Sequence, residues 1–173
     1  MKLSKKSRYG IISLIDLSIN SKNGHVKLSS IAERNDISLQ YLEQVFAGLR
    51  RHGIIKSIKG AQGGYLLNQS AKDITVASII EALDGTYKIE KEYEGQGNIA
   101  EQVIEESVID KVNEKLDEVL LNISLEDLEK DYLQRNAHLM SLGIYPIYFP
   151  QNDYGAISKL LNYIAEENKF AKA

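Results

Sequence analysis

Ser38-Leu39-Gln40-Tyr41-Leu42-Glu43-Gln44-Val45-Phe46-Ala47-Gly48-Leu49-Arg50-Arg51-His52-Gly53 is the stretch on which the fold turns. Ser38 has the short hydroxyl side chain of an N-cap, and Gly53 can adopt the left-handed conformation that ends a helix. Leu42, Val45, Phe46 and Leu49 recur at helical spacing as an apolar stripe, whereas Gln40, Tyr41, Gln44 and Arg51 belong to the other face. Such a helix buries its first face and offers hydrogen-bonding side chains on the second.

The flanking segments give this helix its setting. Residues 4–20 predict a helix, with Tyr9, Ile12, Ile15 and Ile19 on one stripe, Ile11, Leu14 and Leu17 beside it, and Asn23-Gly24 as the terminating turn. A short second helix is expected over Ser30–Arg34, where Ser30 and Glu33 have the spacing of a capping box. Asn35-Asp36 stops it just before Ser38, so the two helices read as a helix-turn-helix. The period then changes. Ile55–Ile58 and Tyr65–Leu67 are strand candidates around Lys59-Gly60-Ala61-Gln62-Gly63-Gly64, a hairpin wing. Thr75 caps a further helix to Leu83, closed by Asp84-Gly85.

Residues 1–85 are thus expected to form a winged helix-turn-helix domain, with 86–98 as a polar linker. A long helix follows over 99–122, in which Ile109, Val112, Leu116, Val119 and Ile123 repeat at spacings of 3, 4, 3 and 4, a coiled-coil-like seam that pairs with a second helix or, being short, packs inside one globule. Ser124 and Asp127 begin another helix, so 99–136 is assigned to the dimerisation region and 137–173 to an aromatic-rich C-terminal extension. Seven of the 13 aromatic residues lie in 132–173. Pro146 and Pro150 exclude regular helix there, and a last helix fits from Tyr154 or Gly155 to Lys169. Tyr145, Tyr148 and Phe149 are candidates for docking a protein or small-molecule effector; the plainer reading makes them an extension of the core and dimer surface. The expected class is mainly α with a small β-hairpin wing.

Charge separates the two parts. The 173 residues carry a net charge of −3, but residues 1–70 hold 11 Lys+Arg against 4 Asp+Glu, and residues 71–173 hold 10 against 20. A basic first part attracts polyanions, and if it binds nucleic acid the acidic remainder should point away. A recognition helix fits the major groove of double-stranded DNA and reads base edges from its N-terminal turns. Gln40 and Gln44 suit adenine edges, and Ser38 and Tyr41 suit phosphates or bases. Glu43 can accept from a cytosine amino group or simply serve the helix dipole, two readings that spacing does not separate. Lys59 and Gln62 at the wing tip suit the minor groove or its flanking phosphates, and Lys5, Lys6 and Arg8 add cations at the start of the first helix.

Other classes fare poorly. With no cysteine there is no disulfide, thiolate metal site or cysteine nucleophile. No apolar run approaches the roughly 20 residues of a membrane span, and the basic start lacks an apolar signal segment, so a cytoplasmic protein is expected. His25, His52 and His138 are scattered, no nucleophile elbow occurs, and the glycine loop at 60–64 leads into a strand rather than a helix, so no enzyme is expected. Glu90, Glu92 and Glu94 alternate in the linker, but nothing fixes them in convergent geometry, and no metal or cofactor is assigned.

Lys5-Lys6-Ser7-Arg8-Tyr9-Gly10, Tyr41-Leu42-Glu43-Gln44, Leu49 to Ile55 and Lys59 to Leu67 together resemble the Rrf2 family of bacterial winged-helix regulators. The resemblance covers about residues 1–85 well and the long helix more loosely. It implies a homodimer on a palindromic operator, with Ser38, Gln40, Tyr41, Glu43 and Gln44 reading the recognition groove and Lys59 the wing contact, where many members carry arginine. Many relatives also hold an iron–sulfur cluster on three cysteines before the long helix. A chain without cysteine is similar instead to the cluster-free branch, which includes repressors of cysteine and sulfur metabolism that answer to a metabolic enzyme. The competing reading is a protein-interaction module, in which the long helix and aromatic tail dock a metabolic enzyme or other partner and the winged helix is structural.

Overall fold

The computed structural model describes residues 3–60, 62–91 and 98–142. Helices α1 (Lys5–Asn20), α2 (Leu28–Arg34) and α3 (Leu39–Arg51) precede the strands β1 (Ile55–Ile58) and β2 (Gly64–Leu67). Then come α4 (Val76–Asp84), α5 (Ile99–Ile104), a π turn (Glu105–Ile109), α6 (Asp110–Leu120) and α7 (Leu125–Ser141). The architecture is mainly helical with an antiparallel hairpin in the register Ile55 with Leu67 to Ile58 with Gly64, as the sequence predicts.

Side-chain caps start most of these helices. Ser4, Ser38 and Thr75 accept from the amides of Ser7, Tyr41 and Ser78, and Ser124 forms a capping box with Asp127. Helix α2 departs from expectation: it begins at Leu28, and Ser30 lies inside its first turn instead of capping it. The cause is a long-range pairing. Val26 exchanges both backbone hydrogen bonds with Tyr65, at 2.9 and 2.8 Å, which leaves Lys27 extended with its carbonyl accepting from Ser30 and Ile31. The bend to α3 is tight because Asp36 takes the left-handed conformation (φ 50°) and Ile37 donates back to the Ala32 carbonyl at 3.0 Å.

The core closes where α1, α3 and α4 approach. Leu83 of α4 points into a notch left by Gly10 of α1 and Gly48 of α3; a methyl group on those glycines would lie 2.3 and 3.1 Å from its two terminal carbons. Close approach selects small residues on α1, so Ser7, Gly10 and Ser13 are buried together with Leu14 and Leu17. The stripe expected through Ile12 is therefore not the innermost one, and Ile12 is partly exposed. Phe46, Leu42, Val45 and Leu49 of α3 are completely buried.

The end of α4 also holds the start of α1. Ser4 and Ser7 donate to the two carboxylate oxygens of Asp84, each at 2.7 Å, and Lys6 donates to the Leu83 carbonyl at 2.8 Å. A carboxylate at a helix N-terminus and an ammonium at a helix C-terminus are both favourable placements.

Gly85 (φ 90°) turns the chain out of α4, and the next residues, expected as a polar linker, run along α6 as far as they are described. Tyr87 is buried against Val76, Ala77 and Ile80, and its hydroxyl donates to Asp117 at 2.6 Å. Lys88 reaches the other Asp117 oxygen at 2.8 Å. The backbone of Ile89 makes two hydrogen bonds with the Asn113 amide, both 2.9 Å, and Lys91 pairs with Asp110 at 2.7 Å. The receiving residues 110, 113 and 117 are spaced 3 and 4, which places them on one face of α6.

The chain returns to the core at Thr75 and Ser124, where Val76 donates to the Ile123 carbonyl and Leu125 to that of Ile74. Leu125 is fully buried. On α7, buried Glu129 accepts from Ser18 of α1 at 2.6 Å and pairs with Lys22 at 2.7 Å, so its charge is satisfied on both oxygens.

Two expected outcomes follow from this packing. Leu83→Ala lowers stability by about 2–5 kcal/mol in urea unfolding, and adding Gly10→Ala to it costs less than in the native background, because the new methyl enters vacated space. The Tyr87–Asp117 contact has a pH window. Hydrogen bonds from Lys88 and then Tyr87 hold the Asp117 carboxyl below its ordinary 3.8. Burial, then the Asp117 hydrogen bond, pushes the Tyr87 phenol up to about 12 from 10.0. The contact's stabilisation is therefore complete between 3.8 and 10.0, is lost on acidification through the lowered carboxyl value, and is lost on alkalisation toward about 12. Tyrosine ultraviolet titration with amide exchange at Ile89 checks both edges.

Candidate nucleic-acid interface

Once the inner face of α3 is sealed, its outer face is determined. Gln40, Gln44, Ala47 and Arg51, spaced 4, 3 and 4, are all exposed, as are Glu43 and Arg50 beside them. Ser38 is exposed, with its Oγ accepting from the Tyr41 amide at 3.2 Å; its hydroxyl hydrogen stays available to an outside acceptor. Tyr41 is half-buried, because its ring stacks edge-on against Tyr9 at 5.6 Å between centroids. That contact sets the start of α1 beside the first turn of α3, and Lys5 and Arg8 are exposed in the same part of α1. Lys6, expected as a third cation there, is instead half-buried on the Leu83 carbonyl.

The wing is fixed to the same helix. The Tyr65 ring of β2 stacks edge-on against Phe46 of α3 at 4.9 Å, while its backbone pairs with Val26. Lys59 and Gln62 are exposed at the tip, and His25 hydrogen-bonds the Gln62 carbonyl. The glycines serve the hairpin itself. A side chain at Gly63 would meet the Ile58 carbonyl oxygen at 2.2 Å, one at Gly64 the Val26 carbonyl oxygen at 2.5 Å, and Gly60 has φ 117°. These glycines allow the chain to approach itself closely.

Among the described residues Lys5, Arg8, Arg51, Lys56 and Lys59 form no ion pair. Uncommitted cations beside amide side chains on a protruding helix suit a polyanion with readable edges. Ala47, Arg50 and Lys56 join the residues that the sequence singles out. The first two are 3 residues from Gln44 and from Ala47, a helical spacing that extends the exposed row, and Lys56 alternates with buried Ile55 on β1. Leu39, 43% exposed, adds an apolar surface next to Gln40 that suits a thymine methyl.

The dimerisation residues do not share one environment. Val112 and Val119 are exposed at 39% and 52%, whereas Leu116 and Ile123 pack on Val76, Ala77, Ile80 and Tyr87 of their own chain, and Ile109 is half-buried. The apolar stripe is broad. One edge faces α4, and the other continues outward through Ile99, Val103, Ile104 and Val108. The π turn resets the phase between α5 and α6, so the expected 3,4 repeat does not extend upstream of Ile109. Tyr145, Tyr148 and Phe149 and the helix expected at 154–169 lie outside the described residues.

Residues 3–131 match the family model described as "Rrf2: Iron-dependent Transcriptional regulator". The chain belongs to the Rrf2 family. It is 36% identical over 130 residues to the HTH-type transcriptional regulator IscR of Klebsiella pneumoniae strain 342, spanning 74% of this chain and 79% of that one. Its fold is similar to CymR, the global cysteine regulator of B. subtilis, with TM-score 0.65 and 36% identity over 75% of this chain and 97% of the other. It is also similar to T. potens IscR, with TM-score 0.61 and 39% identity over 76% and 88%. This Rrf2 protein is a transcriptional regulator with a winged-helix DNA-binding fold, not an enzyme. No helix among the described residues is long and apolar enough to cross a membrane, and they contain no group of three or more side chains placed to hold a metal ion.

For an Rrf2 winged helix, Arg51→Ala and Lys59→Ala are each expected to lower the slope of log affinity against log salt by about one, with near-uniform weakening across duplex sequences. Fluorescence-anisotropy titrations at several salt concentrations measure it.

Proposed function

We propose that the chain is a repressor that binds a palindromic operator as a homodimer, without an iron–sulfur cluster, and controls genes of sulfur or cysteine metabolism. The observation that carries DNA reading is the row Gln40, Gln44, Ala47 and Arg51 standing exposed on α3, with Lys59 on a wing pinned to that helix through Phe46 and Tyr65. In this reading Gln40 and Gln44 take base edges, and Glu43 faces a cytosine amino group. Ser38, Lys5, Arg8 and Arg51 take phosphates, while Lys59 and Gln62 take the minor groove or its rim. Tyr41 acts through its hydroxyl while its ring stays against Tyr9.

Dimerisation is supported by the outward edge of the long-helix stripe. Val103, Ile104, Val108, Val112 and Val119 are each at least 39% exposed, and water is a poor cover for such a row. A symmetric pair of such helices buries both rows, and two-fold symmetry then demands a palindromic site.

The cluster-free reading follows from chemistry. Clusters of this kind are held by thiolates, and the chain has no cysteine to supply them. Residues 87–91, which lead toward the position such a loop occupies in many relatives, are bonded to α6 through Asp117, Asn113 and Asp110. The likeness to CymR, a global cysteine regulator, supports a sulfur-related regulon.

Selection from randomised duplexes tests the whole reading. The expected product is an inverted repeat, and Gln40→Ala or Gln44→Ala costs about 1–3 kcal/mol and relaxes preference at one base pair per half-site. Enrichment of no symmetric motif contradicts it. Val112→Asp with Val119→Asp is expected to convert the dimer to monomer in sedimentation and to weaken full-operator binding more than half-site binding.

A further inference from the structure

We propose that residues 86–91 are a positioning strap: by binding α6 through Asp117, Asn113 and Asp110, they fix the long helix against the winged helix and so set the separation of the two reading helices on DNA. The inference rests on the dimeric operator-binding reading and extends it by naming the residues that transmit geometry from dyad to groove.

The two faces of α6 carry the argument. Asp110, Asn113 and Asp117 face the strap, while Val112 and Val119 lie on the exposed apolar side. One short helix is thus held from one side by its own chain and left open on another. The strap begins where the core is most constrained, directly after Leu83 in the Gly10–Gly48 notch and Asp84 on the start of α1. It has little slack, because contacts from its backbone and side chains fall on successive turns of α6: residue 87 to 117, 89 to 113, and 91 to 110.

The bonds are of a kind that specifies position. Asn113 reads both the N–H and the C=O of Ile89, which fixes the strap's register along the helix, since a slip by one residue breaks both bonds. Asp117 receives the Tyr87 hydroxyl on one oxygen and the Lys88 ammonium on the other.

The test uses the full chain and two variants that keep the hydrophobic packing. Tyr87→Phe retains the ring and removes the hydroxyl; Asn113→Ala removes both bonds to Ile89. Lys91→Arg, which preserves the Asp110 ion pair, is the conservative control. Because the chain lacks cysteine, Ser29→Cys on the exposed side of α2 accepts a single spin label per subunit. Three quantities are read: the label-to-label distance distribution, affinity for the selected palindrome with its half-sites moved by one base pair either way, and affinity for an isolated half-site.

The expected result for both variants is a broadened distance distribution and at least about a fivefold loss on the full palindrome. Discrimination between spacings also narrows, while half-site affinity and dimer mass stay unchanged. The Lys91→Arg protein behaves as the parent. Unchanged distances and full-site affinity overturn the proposal, as does an equal loss on half-sites, which means the reading helix itself was damaged, or loss of the dimer, which makes the strap an assembly element. If the unsubstituted protein gives no inter-subunit distance and no preference for the palindrome, the dimeric reading fails first and the strap inference falls with it.

Discussion

The side chain of Leu83 sits where two helices have no side chain, and most of the molecule is arranged by that fit. Gly10 and Gly48 let α1, α3 and α4 come closer than ordinary packing allows, and Leu83 fills the space they leave. With α4 seated there, Asp84 is in place to receive Ser4 and Ser7, and the first turn of α1 is fixed. With α1 fixed, Tyr9 meets Tyr41, and the start of the recognition helix has one orientation. A larger residue at either glycine would spread the helices and move every exposed group on α3 with them.

The wing depends on the same helix by a second route. Phe46 is fully buried, and its ring is the surface on which Tyr65 stacks. The backbone of Tyr65 then holds Val26, and that pairing decides where α2 begins. One aromatic side chain thus links recognition helix, wing and supporting helix. The exposed cations sit at the ends of these fixed elements, where side-chain freedom is needed, and the buried polar groups sit between them, where it is not: Asp16 between Arg34 and Asn35, Glu129 between Ser18 and Lys22. Each of these carboxylates joins α1 to another part of the chain, so the polar contacts reinforce an arrangement that apolar burial sets.

Local chemistry makes much of this legible in the sequence. The Ser38 cap, the Leu42–Leu49 stripe, the Gly53 ending and the strand–turn–strand of the wing are each decided by residues within a few positions of one another, and they appear as expected. Readings that needed distant partners fared worse. Ser30 looked like a cap because its spacing to Glu33 is right, but Val26 is held by Tyr65, 39 positions away, and the helix starts earlier. Lys6 looked like a surface cation and is claimed by the Leu83 carbonyl. Ile12 looked like core because periodicity weighs all apolar residues alike, whereas the face that packs is the one with glycine and serine.

The long helix shows the same limit in a form that bears on function. A 3,4 repeat specifies that a stripe is apolar, not which neighbour covers it, and here the stripe is divided between the chain's own α4 and open surface. Sequence alone had no means of finding that division, because it arises from residues 86–91, whose polar composition reads as linker. Their hydrogen bonds to Asn113 and Asp117 use up the third side of α6 and leave Val112 and Val119 as the apolar residues of α6 exposed among the described residues. The polar segment therefore determines the apolar one. By occupying one face of the helix it leaves the face carrying Val112 and Val119 as the one open to a partner.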